Sequence, residues 1–146
     1  MLMGEFHHNI DDKGRLVIPT KFREELGDTF VLARGIEKCL YVYSNQEWEK
    51  LVSKLNTLPF TKRDARTFNR TFFSGATVCE FDKNGRINIT SPLVSYAGLT
   101  KACVIIGVND RLEIWSEERF NEFLDMSSET LEEIAENLFE VSDVTL

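Results

Sequence analysis

The order Asp11-Asp12-Lys13-Gly14-Arg15-Leu16-Val17-Ile18-Pro19 is echoed at Asp82-Lys83-Asn84-Gly85-Arg86-Ile87-Asn88-Ile89, 71 residues further on. In each copy an acidic residue and two polar residues lead into glycine, arginine and a short apolar-rich run. Glycine tolerates positive φ and an aspartate side chain bonds nearby backbone amides, so each stretch predicts a tight turn that feeds a strand. The likeness extends past the turn. Cys103 to Gly107 and Arg111 to Trp115 echo the strand-like runs Phe30 to Ala33 and Cys39 to Tyr43, with Gly107 matching Gly35 at an offset of 72. A repeat on this scale predicts two copies of one supersecondary unit, each too small to bury its own apolar face and so packed on the other about a pseudo-twofold.

The first copy reads as follows. Gly4 to Ile10 alternates, Phe6, His8 and Ile10 against Glu5, His7 and Asn9, a period of two that predicts a half-buried strand. Arg15 to Ile18 is expected to return along it as the second strand of a hairpin. Pro19 ends that strand, and Phe22 with Leu26 predicts a short helix closed by Gly27. After the two strands flanking Gly35, Ser44 with Glu47 predicts a reciprocal capping box, and Trp48, Leu51, Val52 and Leu55 fall on one helical face. A further helix is expected from after Thr61 to about Phe73, stopped by Gly75.

That helix carries Lys62, Arg63, Arg66 and Arg70, whose charge suits a solvated face, phosphate contact, or pairing with an acidic neighbour. Its Phe68, Phe72 and Phe73 read as core or subunit contact, and Trp48 and Trp115 read as core. The second copy then predicts strand over Ala76 to Phe81, turn over Asp82 to Gly85, strand over Arg86 to Ile89 and helix over Pro92 to Ala97. From Ser128 the pattern changes: Leu131, Ile134, Ala135 and Leu138 recur at helical spacing among Glu129, Glu132, Glu133 and Glu136, an amphipathic acidic helix.

The net charge of −7 argues against nucleic acid only until it is divided along the chain. Residues 117–146 hold ten acidic and one basic residue, a net of −9; the preceding 116 hold 16 basic and 14 acidic, a net of +2. The acidity is local to the tail. No run of 18 apolar residues spans a membrane, and Met1 to Ile10 lacks the regions of a signal peptide, so a cytoplasmic protein is expected.

Catalysis finds little support. Cys39, Cys79 and Cys103 are odd in number and lie in apolar strand patterns, which predicts reduced, buried thiols rather than a disulfide framework or a nucleophile. His7 and His8 are adjacent, so on a strand they face opposite ways and cannot share a metal. No glycine-rich phosphate loop and no serine-hydrolase elbow occurs. No catalytic residue, metal, cofactor, small-molecule substrate or membrane partner is therefore expected.

Arg15 and Arg86 are different, because both leave a tight turn at the same register. One reading is that Asp11 and Asp82 merely brace each turn by pairing with the arginine. The other is that a pseudo-twofold sets two guanidinium forks on one surface, joined by Lys13, Lys21, Arg23 and Lys83. Such forks suit phosphate oxygens or the major-groove edge of guanine, and a two-stranded ribbon fits that groove.

Met3-Gly4-Glu5, Asp11 to Arg23, Thr61 to Gly75, Asp82 to Ile89 and Ile105 to Ser116 together resemble the MraZ family of bacterial transcriptional regulators, in the AbrB-like swapped-hairpin superfamily, over nearly the whole chain. The family's DxxxR motif falls here on Asp11 with Arg15 and on Asp82 with Arg86.

The resemblance implies an α+β fold: two pseudo-symmetric AbrB-like swapped-hairpin β units in one small barrel-like core, with flanking helices and a C-terminal amphipathic helix. On that basis residues 1–58 form the first half, 59–75 a connecting basic and aromatic helix, 76–125 the second half and 126–146 the acidic helix. It further implies a sequence-specific, nucleoid-associated DNA-binding regulator, usually a repressor. Its expected target is the promoter of the division and cell-wall gene cluster, bound at G-rich repeats by a ring-shaped homo-oligomer.

The candidate DNA-binding residues are therefore Arg15 and Arg86 of the motif together with Lys13, Lys21, Arg23 and Lys83 from the charge pattern, with Asp11, Gly14, Asp82 and Gly85 supporting the turns. The second copy departs from the first in having Thr90 and Val94 where the first has Pro19 and Arg23, so the first hairpin is expected to lead recognition. A non-DNA-binding interaction module assembling through its aromatic and acidic helices is the alternative.

Overall fold

In the computed structural model, which describes residues 1–127 and 130–139, the chain is a mixed α+β protein of two compact units, 1–116 and 117–146. The first unit runs β1 (Leu2–Asn9), β2 (Arg15–Val17), α1 (Thr20–Leu26), β3 (Thr29–Arg34), β4 (Leu40–Ser44), α2 (Asn45–Leu55) and α3 (Arg63–Ser74). It continues with β5 (Thr77–Glu80), β6 (Arg86–Asn88), α4 (Ser91–Ala97), β7 (Ala102–Asn109) and β8 (Leu112–Ser116). The second contains α5 (Glu117–Ser127) and α6 (Leu131–Leu138).

Strand pairing makes the repeat visible in space. The larger sheet has the order β1-β7-β8-β4-β3-β5 and the smaller is β2-β6. With β1, β3 and β4 in the first copy corresponding to β5, β7 and β8 in the second, the large order reads the same from either end. The exchange passes through Tyr41↔Glu113, flanked by Leu40↔Ile114 and Val42↔Leu112, and through Leu16↔Ile87 in the small sheet. Both centres lie on one pseudo-twofold.

The pairing corrects the expected hairpin. β1 does not run along β2; it pairs through all eight residues with β7 of the other copy, from Leu2↔Asn109 to Asn9↔Ala102. Three-residue β2 pairs instead with its own counterpart β6. A partner of three residues would leave most of an eight-residue strand's backbone groups unpaired, whereas β7 matches β1 in length and register. Each copy thus completes the other's ladder.

Alternation along the strands sends Leu16, Ile18, Phe30, Leu32, Leu40, Val42, Ile87, Ile89, Ile105, Leu112 and Ile114 into a single core, each at most 2% exposed. Phe22 and Leu26 of α1, and Leu93 and Ala97 of α4, close it from corresponding positions. Cys39 and Cys103 are fully buried as expected, but Cys79 is half-buried because β5 is a sheet edge. Burial pushes the Cys39 thiol up to about 12.

On the helices, Ser44 Oγ accepts from the Glu47 N–H at 3.2 Å, the first half of the expected capping box. The Glu47 carboxylate turns to Lys50 instead, and α2 buries no residue completely. Trp48 is therefore half-buried rather than core, stacked on Phe72 at 5.5 Å with Phe68 continuing the stack, whereas Trp115 is buried. α3 is capped by Lys62 without a side-chain bond, and Arg63, Arg66 and Arg70 are exposed.

In the second unit, α5 is a helix that the periodic reading did not single out. α6 places Leu131, Ile134 and Leu138 on a largely exposed stripe beside Glu132, Glu133 and Glu136. Of the expected tail helix, α6 covers Leu131–Leu138, and Ser128, Glu129 and residues 140–146 lie outside the described residues. No helix among the described residues is long and apolar enough to cross a membrane.

Candidate nucleic-acid interface

The two turns are built alike, bond for bond. In the first, Gly14 N–H donates to Asp11 O and Asp11 N–H to Arg15 O, both at 3.0 Å; in the second, Gly85 donates to Asp82 O at 3.1 Å and Asp82 to Arg86 O at 2.9 Å. The aspartate organises the loop from inside. Asp11 Oδ1 accepts from the Lys13 and Arg15 amides, and Asp82 Oδ1 from those of Asn84 and Arg86. The second oxygen takes the arginine Nε, at 2.6 Å in the first turn and 2.8 Å in the second.

Gly14 and Gly85 sit at φ +79° and +71°, a left-handed conformation that any other L-residue adopts at a cost. The backbone N–H of the following arginine holds the Asp11 and Asp82 carboxyls below their ordinary range, and the guanidinium adds to the effect.

Both turns then hand the chain to the β2-β6 ribbon. Leu16 and Ile87 face the core with no exposure, so alternation places Arg15, Val17, Arg86 and Asn88 on the outward face. Arg15 stands opposite Asn88 and Arg86 opposite Val17, which makes the arginines a diagonal pair, roughly 7–8 Å apart in ordinary sheet geometry. They share a carboxylate: Arg86 Nη1 lies 4.0 Å from Asp11 Oδ2 in the other copy. Because Nε is used by the aspartate, the terminal nitrogens of Arg15 make no hydrogen bond within the described residues. The brace and the presented fork are thus compatible, since each uses different nitrogens of one guanidinium.

The copies also exchange main-chain bonds. Ile18 N–H donates to Gly85 O at 3.0 Å and Ile89 N–H to Gly14 O at 2.7 Å, so neither turn is held by its own half alone.

Of the other predicted cations, Lys13 and Lys83 are exposed on the turns but occupy different turn positions, since Lys13 corresponds to Asn84 and Lys83 to Asp12. Lys21 is exposed on α1 with Nζ 5.7 Å and 5.8 Å from the ring centres of Phe6 and Phe22. Arg23 is half-buried: its Nη2 donates to Thr20 Oγ1 at 2.7 Å and its guanidinium lies against Gly85 of the other copy. Sequence reasoning did not single out Val17 and Asn88 as sharing the arginine face; counting by twos from Arg15 and Arg86 would have found both.

Among the described residues no group of three or more His, Cys, Asp or Glu is placed to hold a metal ion. The β2-β6 ribbon instead carries Arg15 and Arg86 outward, with Lys13 and Lys83 exposed on the turns before them and Leu16 and Ile87 buried beneath.

Fold and turns define a duplicated α+β protein in which two copies of one strand-turn-strand-helix unit complete each other's sheets and present a paired aspartate-arginine turn on one face. The family model described as "MraZ protein, putative antitoxin-like" matches the chain twice, over residues 1–71 and 72–142. The chain is also similar to the "Transcriptional regulator MraZ" of Lactobacillus gasseri, with 52% identity over 141 residues, 97% of this chain and 99% of that protein. This chain belongs to the MraZ family.

Proposed function

We propose that this chain is a sequence-specific, DNA-binding transcriptional regulator without enzymatic activity, and that the β2-β6 ribbon is its reading surface. The observation that carries the reading is the diagonal pair Arg15 and Arg86 on one outward face, each with Nε engaged by an aspartate. That bond orients the fork, and a pre-oriented guanidinium suits the paired acceptors of guanine or a phosphate. Lys13, Lys21 and Lys83 add phosphate contacts around it. The exchange of strands and of main-chain bonds between copies supports an AbrB-like swapped-hairpin arrangement.

A single chain brings few cations to DNA while carrying a net charge of −7, so each contact is weak and salt-sensitive. Linking several chains raises the effective concentration of ribbons at repeated sites, and affinity then depends on assembly. The reading therefore includes a ring-shaped homo-oligomer on G-rich repeats, acting as a repressor at the promoter of the division and cell-wall gene cluster, in the nucleoid.

The test is a gel shift on promoter fragments with one, two and three repeats across salt concentration, beside a native mass measurement. Affinity should rise steeply with repeat number. Arg15→Ala should abolish binding with fold and assembly unchanged; unaltered affinity of that variant would overturn the proposal.

A second reading, an interaction module, draws on the exposed apolar stripe of α6. It would gain if assembled protein gave no salt-dependent shift on any DNA.

A further inference from the structure

The two copies share one turn geometry, so a residue that differs between them marks something the fold alone does not require. Arg23 corresponds to Val94. Val94 packs as an ordinary partly buried apolar residue against the core. Arg23 instead leaves its own copy and lies across the other copy's turn, with Cζ 2.5 Å from the point where a Cβ on Gly85 would stand. Only glycine leaves room for it.

The position is costly. Arg23 Nε is buried with no hydrogen-bond partner, and its Nη2 is held by Thr20 Oγ1. Burying a charged group with an unmet donor costs free energy that valine at the same position avoids. Packing of α1 therefore does not by itself account for an arginine there.

The other turn shows what its absence means. Beside Asp12, Lys13 and Gly14 an open cleft of about 330 Å³ separates the first turn from Val94 and Ser95 of α4. Among the described residues the nearest side-chain atom to a Cβ on Gly14 is Asn88 Oδ1 at 3.7 Å, an ordinary contact, and no cation lies against it as Arg23 lies against Gly85.

We propose that Arg23 is a positioning residue that seats the Asp82–Gly85 turn and through it orients Arg86, a side-chain contact that the first turn lacks. Its guanidinium acts on DNA through that turn rather than as a phosphate contact. The consequence for binding rests on the DNA-binding reading, while the seating itself does not.

The experiment compares the full-length wild type with Arg23→Lys, which keeps the charge, and Arg23→Val, which copies the residue the second half already carries at this place. Amide hydrogen exchange is followed at Asn84, Gly85 and Arg86, and at Lys13, Gly14 and Arg15. Both variants should speed exchange in the second turn by about tenfold and leave the first within about twofold. On promoter DNA both should lose affinity to the same degree, with the salt dependence of the affinity unchanged.

A phosphate contact would behave differently: Arg23→Lys would bind like wild type, and Arg23→Val would show a salt slope shallower by about one. That pattern, unchanged exchange in the second turn, or equal acceleration in both turns would each overturn the proposal. Should the wild type bind no DNA, the DNA-binding reading fails while exchange still decides the seating.

Discussion

Alanine at Gly14 should cost far more stability than alanine at Gly85, although the two glycines occupy the same place in the same turn. Their φ values are +79° and +71°, so the backbone penalty for an L-residue, about 1–2 kcal/mol, is common to both. What differs is the obstacle. A Cβ on Gly14 would stand inside the 3.0 Å that real Cβ atoms keep, against the Ile89 carbonyl oxygen. That carbonyl is main chain, and its residue's N–H is bonded back to Gly14 O at 2.7 Å, so it cannot withdraw without loosening the exchange between copies.

A Cβ on Gly85 meets the Arg23 guanidinium, the far end of a flexible side chain, which swings away. Adding about 1–3 kcal/mol for overpacking to the shared strain gives about 2–5 kcal/mol for Gly14→Ala, against about 1–2 kcal/mol for Gly85→Ala. Urea unfolding followed by circular dichroism, at one protein concentration so that assembly does not shift the midpoint, measures the difference. Costs equal within about 0.5 kcal/mol, or a larger cost at Gly85, would refute the argument that the main-chain approach at Ile89 decides the outcome.

Three further outcomes are expected. Arg111→Ala should destabilise by about 2–4 kcal/mol in the same assay, because it strands Glu113, a buried carboxylate that accepts from Arg111 Nη2 at 2.8 Å and Trp115 Nε1 at 2.9 Å; Glu113→Gln should cost less. A thiol reagent at pH 8 should label Cys79 first in the native protein and reach Cys39, its thiol pushed up to about 12 by burial, only after urea is added. Asp11 and Asp82 have folded pKa values depressed below 3.8, so their support of the turns is complete above that pH and is lost as pH falls through the lower folded values; amide exchange at Arg15 and Arg86 should therefore not change between pH 7 and pH 5 once corrected for intrinsic rates.

The turns were legible because their cause is local. Asp11, Gly14 and Arg15 meet within one loop, and the side-chain and backbone bonds that hold them are the ones those residue types form with near neighbours. The duplication was legible for the same reason, since a repeat is a property of order. Apolar alternation marked the inward side chains Leu16 and Ile87, and charge counting separated an acidic tail from a mildly basic body.

Strand partners were not legible. The expected hairpin of Gly4 to Ile10 with Arg15 to Ile18 satisfies every local rule, yet β1 lies beside β7, about a hundred residues away in the chain, because only a strand of equal length satisfies its backbone groups. Trp48 looked like core because helical spacing shows which face is apolar but not how deeply the neighbours cover it. Arg23 looked like one more surface cation; only the crossing of the two copies brings it onto Gly85.

By itself, then, the amino-acid order determined two aspartate-glycine-arginine turns and the apolar faces behind them, since those depend on contacts between near neighbours. The tertiary structure alone decided which strands meet, that Arg15 and Arg86 share one face across a pseudo-twofold, and that Arg23 lies against the other copy's Gly85 while a cleft lies beside Gly14, because those relations are set by how the two copies satisfy each other's backbone and core.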